Sequence, residues 1–239
     1  MYHAKATKSL RVPRPVAQLT DERCLVLYEF DPWMNLWEYL AYHHDLVTIQ
    51  HSAKRAGEAL AVLHRSQIVI RGVEPDFVEE PLQSIISDAE RNLGALPRGS
   101  DLINRFQFSV QRTLAQARRR QPKALAPIHG SLGWDCIHYG VDNRFYLYRF
   151  ETSRRSDPGL DLGGFAADLL CWTLIRQDKD AYRMCCDEFL NSYNSGADYS
   201  MDPDDLRFYI AIVVFERLRR RSSLTRGCAE RLLEVLDAA

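Results

Sequence analysis

Apolar residues recur at helical spacing along most of the chain. In the segment 49–66 the residues with this spacing are Ala53, Ala56, Leu60 and Leu63. Intervals of three and four residues place side chains on one face of a helix, so this face is predicted to be buried. The segment 209–215 is apolar nearly all round, which predicts a helix buried on every side. Helices are predicted over 34–46, 49–66, 82–94, 101–120, 162–177, 179–195, 203–220 and 224–237.

Strand patterns are short and lie near the N-terminus and in the middle of the chain. Two prolines in residues 11–19 favour extended backbone around them. The apolar run 24–30 ends before an Asp-Pro pair, which is typical of a short buried strand. Two further strands, 137–141 and 144–150, flank an Asp-Asn pair that favours a turn. The acidic segment 73–81 carries two prolines and is predicted to be a loop.

Composition narrows the classes of protein and partner. The chain has 239 residues with 46% hydrophobic and 26% charged residues, which is ordinary for a globular protein. A net charge of −1 provides no field for nucleic acid or an anionic membrane surface. No apolar run reaches the roughly 20 residues that span a bilayer, and the N-terminal residues lack the apolar core of a secretory signal. Six cysteines without a CxxC pair favour reduced thiols, so a cytoplasmic protein without nucleic-acid or membrane partners is predicted.

The segment 125–162 contains the most specific motif. It reads His129-Gly130-Ser131-Leu132, then a strand that ends in Tyr148-Arg149-Phe150-Glu151, and then Asp157-Pro158 with Asp161-Leu162. This frame resembles the aminoglycoside phosphotransferase and choline-kinase-like family. In that family the loop reads HGDLxxxN, the strand ends in IDWE or IDFE, and GDPxxDLA follows.

The resemblance implies an α+β fold of the protein-kinase-like class. That fold would be mainly a helical C-terminal lobe with a short β-hairpin catalytic segment and a remnant of the N-terminal lobe. The remnant and hinge would cover residues 1–31, and the helical lobe would cover residues 32–239. Only 27 residues precede Tyr28, fewer than the usual N-terminal lobe needs. We therefore expect most of that lobe to be missing, either because the chain is a fragment or because it is a natural minimal form.

The resemblance also implies a function and its cofactors. Family members are ATP-dependent phosphotransferases that act on small hydroxylated molecules and use ATP and Mg²⁺. The hinge residues Tyr28 and Phe30 would lie against the adenine ring. A small-molecule substrate would bind between the loop 129–136 and the C-terminal helices.

Three residues stand where the family keeps its reactive side chains. Ser131 occupies the position of the loop Asp that takes the hydroxyl proton, whereas Cys136 and Arg149 occupy the two Mg²⁺-binding positions. Serine is a poor base, cysteine is a soft ligand, and Mg²⁺ prefers hard oxygen ligands. Arginine stays cationic, although it pairs well with a phosphate or carboxylate. The sequence therefore predicts a pseudokinase with lost or impaired phosphoryl transfer.

Two neighbouring carboxylates leave an alternative open. Asp135 precedes the Asn position and Glu151 follows the DFG-like position by two residues, so a small shift could rebuild a metal site and an active enzyme. The competing interpretation is that Asp135 bonds to its own loop and that Glu151 pairs at the surface with Arg154 or Arg155.

The rest of the motif is interpreted as structural. Asp161 resembles the family's buried Asp, which hydrogen-bonds back to the loop, and it is also expected to cap the next helix. Asp157 belongs to the same motif. His129 is expected to orient the loop rather than act as a base, and His64 is expected to pack at a helix end.

Other features point to binding. Arg217 and the arginines 219–221 form either a solvated helix end or an anion-binding patch. The acidic residues that could favour a cationic substrate are Asp168, Asp178 and Asp180. A third hypothesis is a protein-interaction module, in which a missing N-terminal lobe leaves Phe30, Trp33 and Trp37 uncovered for a protein partner.

Overall fold

A computed structural model describes residues 10–11, 15–19, 25–28, 34–43, 45–66, 79–119, 125–139, 145–220 and 224–239. Its helices are α1 (Leu36–Tyr42), α2 (Leu46–His64), α3 (Glu79–Gly94), α4 (Gly99–Ala117), α5 (Gly159–Arg176), α6 (Lys179–Gly196), α7 (Pro203–Arg220) and α8 (Arg226–Ala238). Its strands are β1 (Leu10–Arg11), β2 (Pro15–Leu19), β3 (Leu25–Tyr28), β4 (Ala126–Ile128), β5 (Ile137–Tyr139), β6 (Phe145–Leu147) and β7 (Arg154–Ser156). None of the helices described is long and apolar enough to cross a membrane.

All eight predicted helices are present, but several boundaries differ. The first predicted helix ends earlier, because Asp45 accepts a hydrogen bond from the amide of Thr48 and so begins α2. The loop predicted over 73–81 is wrong at its end, where α3 already begins at Glu79. Proline is tolerated there, because the first turn of a helix does not use its backbone N–H groups.

Three small sheets accompany the helices in the part of the chain that the structure describes. β5 and β6 pair antiparallel as the predicted hairpin, and β1 lies parallel to β6 on its other side. β4 pairs antiparallel with β7, which holds the two ends of the motif segment side by side. β2 and β3 form an antiparallel pair near the N-terminus. The turn between β5 and β6 and the hinge residues after Tyr28 lie outside the described residues.

The core is helical and centres on α7. This helix packs against α3, α4, α5 and α8, and its segment 208–212 is buried, as its all-round apolar pattern predicted. The predicted buried face of α2, which includes Ala53 and Leu60, packs against α6 in the most extensive helix contact of the described fold. Within this contact Gly57 faces the backbone of Phe189, so a Cβ atom would collide with that carbonyl oxygen.

Substitution of Gly57 should therefore separate α2 from α6. We expect Gly57→Ala to lower the free energy of unfolding by about 1–3 kcal/mol through overpacking, despite the better helix propensity of alanine. Urea denaturation followed by circular dichroism measures the change.

Gly227 in α8 offers a matched control, because nothing lies within 4 Å of a Cβ atom placed there. Gly227→Ala should leave the stability unchanged or raise it slightly. If both variants behave alike, the close contact between α2 and α6 is not what requires glycine at 57.

Candidate functional site

A buried carboxylate fixes the start of the motif loop. Asp161 is fully buried in the first turn of α5 and accepts hydrogen bonds from the amides of His129 (2.7 Å) and Gly130 (2.9 Å). The predicted bond back to the loop is confirmed, whereas the predicted capping of its own helix is wrong, because the loop amides occupy the carboxylate oxygens. At φ +90, Gly130 takes a conformation that favours glycine, and a side chain there would meet the carbonyl of Thr152.

Asp161 also joins the loop to α2 and α6. Nε2 of His64 lies 3.2 Å from its carboxylate, and Nδ1 of His64 lies 2.9 Å from the hydroxyl of Tyr193. Burial by itself would raise the pKa of Asp161, but the hydrogen bond and the electrostatic attraction of His64 outweigh it and hold this pKa below its ordinary value. His64 is thus a packed helix-end residue, as predicted, and has a defined bonding role.

Arg149 and Asp135 form an ion pair across the mouth of the loop. Nη1 of Arg149 lies 2.6 Å from Oδ2 of Asp135, and both side chains are more than half exposed. Arg149 itself has a left-handed backbone (φ 65, ψ 55) just before a short 3-10 helix, Phe150–Thr152. The side chain at the DFG-like position therefore neutralises the carboxylate that would be needed to rebuild a metal site.

The other two altered positions lack the carboxylate base expected at 131 and the oxygen ligand expected at 136. The Ser131 hydroxyl lies 2.8 Å from the hydroxyl of Thr152, which cannot serve as a base at neutral pH. Cys136 is buried, and burial together with the nearby charge of Asp135 raises the pKa of its thiol to about 12. The thiol is therefore neutral at physiological pH and faces its own loop, 3.8 Å from the carbonyl of Ser131.

These residues do not fit Mg²⁺, which the family resemblance implied. The ion requires several hard oxygen ligands in near-octahedral geometry. At the equivalent positions the chain offers a hydroxyl, a protonated thiol and a guanidinium. Within the described part of the chain, no group of three or more His, Cys, Asp or Glu residues is placed to hold a metal ion.

Two further acidic residues of the motif, Glu151 and Asp157, differ in whether they have bonding partners. Glu151 is exposed. Among the described residues, no ion pair joins Glu151 to Arg154 or to Arg155, so the predicted pair is not found. Asp157 accepts hydrogen bonds from the amide of Gly159 (2.8 Å) and from the hydroxyl of Tyr209. Its structural role thus links the motif to α7.

A second buried carboxylate supports the far end of the loop. Asp168 of α5 accepts a hydrogen bond from the amide of Trp134 (2.8 Å) and pairs with Nη1 of Arg217 (2.6 Å). Burial alone would lower the pKa of Arg217, but Asp168 more than compensates, so this pKa is raised. Sequence analysis missed this connection. Asp168 already bonds to an arginine, so it is not an open site for a cationic substrate.

A cavity of about 870 Å³ lies between the loop and the C-terminal helices. Its position matches the predicted substrate pocket. It brings together the altered positions Ser131 and Arg149 and the neighbouring carboxylates Asp135 and Glu151. Arg217 and Arg220 also line it, whereas the sequence left open whether this arginine run is a solvated helix end or an anion-binding patch.

The remaining predicted residues lie elsewhere. His129 and Cys136 are buried and are not among the residues that line the cavity, and Asp178 caps α6. The proposed adenine-binding residue Phe30 lies outside the described residues, as does Trp33, and of Tyr28 only its place in β3 is described. Trp37 is partly buried against Trp134, with ring centroids 4.8 Å apart. The hinge and the uncovered-surface hypothesis therefore stay predictions.

Asp161→Asn should change how stability depends on pH. Because the pKa of Asp161 is lowered in the folded state, its ionised form stabilises the protein above its ordinary value of 3.8. This contribution is lost as the pH falls through the lower folded value. We expect the variant to lose about 1–3 kcal/mol at pH 7 in urea denaturation, because one loop amide loses its acceptor, and the deficit to shrink below about pH 4.

The exposed Asp187 provides the control for this pH series, and Asp187→Asn should follow the wild type throughout. A constant deficit for Asp161→Asn from pH 7 to pH 3 would contradict an ionised Asp161.

Removal of the Arg217 guanidinium should destabilise the loop through Asp168. The side chain of Asp168 is only 7% exposed, so Arg217→Ala leaves a nearly buried carboxylate without its counter-charge. We expect a loss of about 3 kcal/mol in the free energy of unfolding. Arg207→Ala is the control, because the ion pair of Arg207 with Asp204 is exposed and should contribute less than about 1 kcal/mol. Equal losses for both variants would refute this role.

Comparisons with known proteins place the fold. No protein-family profile and no curated protein matches the chain. Among solved structures, a choline/ethanolamine kinase family protein from Mesorhizobium loti has a TM-score of 0.58 and 19% identity, over 95% of this chain and 74% of that one. A glucosamine kinase in complex with glucosamine, ADP and inorganic phosphate has a TM-score of 0.62 and 16% identity, over 95% and 63%.

A third similar structure is the aminoglycoside phosphotransferase APH(3'')-Id from Streptomyces rimosus. It has a TM-score of 0.52 and 16% identity, over 86% of this chain and 74% of that one. The chain thus spans roughly two thirds to three quarters of these proteins. At these identities the likeness concerns the fold, and it agrees with the helical lobe and hairpin that the motif predicted. The chain therefore has the protein-kinase-like fold shared by these choline, sugar and aminoglycoside kinases.

Proposed function

We propose that this protein is a pseudokinase, which retains the kinase-like fold and acts through binding without phosphoryl transfer. The observation that supports this most directly is the ion pair between Arg149 and Asp135. Phosphoryl transfer needs divalent metal to neutralise the phosphates and a carboxylate to orient the attacking hydroxyl. In this chain the guanidinium of Arg149 stands at one of the family's metal-binding positions and pairs with the nearest carboxylate, that of Asp135.

The other altered positions support the same proposal. The Ser131 hydroxyl bonds to another hydroxyl, and no carboxylate is available at that position to accept a proton from a substrate. The Cys136 thiol stays protonated and buried. Three losses at three positions leave the chain with groups that bind and orient but do not move a proton or hold Mg²⁺.

The hydrogen bonds that hold the loop support the proposal that it has a binding role. Two buried carboxylates, Asp161 and Asp168, hold the backbone of the loop in place beside the cavity. Among the similar structures one contains glucosamine, ADP and inorganic phosphate, which suggests a small molecule and a nucleotide as ligands to test here. The described cysteines are free, which suits a protein of the reducing cytoplasm.

One observation favours a second candidate, an active phosphotransferase with a relocated metal site. Glu151 lines the cavity, is exposed, and has no ion-pair partner among the described residues. A metal held by Glu151 together with substrate phosphates would restore activity. In that case Mg²⁺-dependent ATP turnover should disappear in Glu151→Gln and persist in Asp187→Asn.

Calorimetric titration with ATP, with and without Mg²⁺, separates the two candidates. We expect that Mg²⁺ neither enables nor strengthens ATP binding, and that no ADP forms with glucosamine, ethanolamine or streptomycin as acceptor. The reason is that Arg149 supplies a fixed positive charge where the metal would sit. Mg²⁺-dependent turnover in the wild type would refute the proposal.

A single substitution at 149 provides a positive test of the same reasoning. Arg149→Asp frees Asp135 and adds a second carboxylate beside it, and Asp tolerates the left-handed backbone better than Arg. We expect Mg²⁺ to raise the melting temperature of this variant by a few degrees through mass action, with no effect on the wild type. Arg149→Lys keeps the charge and is the control. A Mg²⁺ response in Arg149→Lys would contradict the assignment.

A further inference from the structure

Arginines from three separate elements converge on the cavity beside the loop. Arg149 follows β6, Arg217 and Arg220 lie on the last turns of α7, and Arg231 lies on α8. Arg149 lies far along the chain from the other three, and the fold brings all four into the lining of one cavity. Such convergence on a concave surface is typical of an anion-binding site.

The carboxylates of the same wall are largely occupied. Asp135 is bound by Arg149, and Asp168 is bound by both Arg217 and the amide of Trp134. Glu216 pairs with Arg220 at 2.9 Å and with Arg219 at 2.8 Å, so two guanidinium groups share one carboxylate. Of the carboxylates that line the cavity, only Glu151 has no ion-pair partner among the described residues, so most of the negative charge beside the arginines is already paired.

The guanidinium groups keep unused donors. Each guanidinium carries five N–H donors. Arg149 uses Nη1 toward Asp135, and Arg220 uses Nε toward Glu216. Arg231 uses Nη1 toward Glu234, which does not line the cavity. The side chains of Arg220 and Arg231 are 48% and 42% exposed, so their remaining donors are accessible to a ligand.

Apolar side chains on the same wall suit the rest of a small molecule. Trp37, Ile212 and Leu232 line the cavity next to the arginines. A volume of about 870 Å³ lies in the range of known small-molecule sites, roughly 300–1,000 Å³. The cavity therefore combines a donor-rich end with an apolar surface.

We propose that this cavity binds an anionic small molecule, whose phosphate or carboxylate oxygens are bound by Arg149, Arg220 and Arg231 without a metal ion. The inference rests on the proposed function, because it names the ligand class of the same site. Guanidinium groups match both oxyanions through paired N–H donors. In this arrangement the arginine side chains neutralise the negative charge of the ligand, as a divalent metal ion does in a phosphotransferase.

Calorimetric titration in buffer free of divalent ions tests this. Pyrophosphate and citrate are the anionic probes, and they distinguish a phosphate site from a carboxylate site. Glucose is the neutral probe and glucosamine the cationic one. We expect saturable binding of at least one anion at one site per chain, weaker binding at higher salt, and no binding of glucose or glucosamine.

Three variants locate the binding. Arg220→Ala and Arg231→Ala should each weaken anion binding about tenfold, because each removes a charge-assisted hydrogen bond. Arg219→Ala is the matched control, because Arg219 neighbours Arg220, shares its partner Glu216 and does not line the cavity. It should change the affinity by less than about twofold. Melting curves verify that these exposed substitutions leave the fold intact. If one cavity variant fails to fold, the other still tests the inference.

The inference is overturned if neither anion binds, if glucosamine binds in their place, or if Arg220→Ala and Arg231→Ala bind the anion as the wild type does. These outcomes differ from failure of the proposed function. ATP turnover would refute the pseudokinase proposal. The metal-free anion titration would still decide whether the cavity binds an anion. Absence of both turnover and anion binding would refute this inference alone.

Discussion

The carboxylate of Asp161 is the group on which the site depends, because it holds the loop to the helical lobe. It lies fully buried, accepts the amides of His129 and Gly130, and contacts His64. Buried amides need acceptors, and a buried carboxylate needs donors or positive charge. Here the carboxylate of Asp161 is the acceptor for the two loop amides, and those amides and His64 are its donors. Through His64 the same cluster reaches Tyr193, so α2, α5, α6 and the loop meet at one point.

Asp168 repeats this arrangement two turns along α5. Residues seven apart lie on the same face of a helix, so both carboxylates of α5 point toward the loop. Asp161 supports its beginning and Asp168 supports its 3-10 turn at Trp134. Arg217 completes the second support from α7. A loop that is held at both ends beside a cavity suits a binding protein as well as an enzyme of this fold, because either must position a ligand.

The nature of the site is set by where positive charge is fixed. A metal ion enters with a nucleotide and leaves with it, whereas the guanidinium of Arg149 is permanent and already paired with Asp135. In the proposed anion site it acts together with Arg220 and Arg231, whose charges are equally permanent. The neutral, buried thiol of Cys136 adds no charge to this balance.

Much of this was predictable from the sequence. Helix positions followed from apolar spacing, and the motif identified Asp161, Asp157 and the three altered positions, because these signals depend on residues close together in the chain. Only the tertiary structure showed that Asp135 is neutralised by Arg149 and that Arg217 binds Asp168, 49 residues away. It also showed that Arg217 and Arg220 line the cavity, where the sequence had left open a solvated helix end or an anion-binding patch. Spacing along the chain determines which face of a helix a residue occupies. Only helix packing determines which faces meet, and therefore which charged side chains share a site.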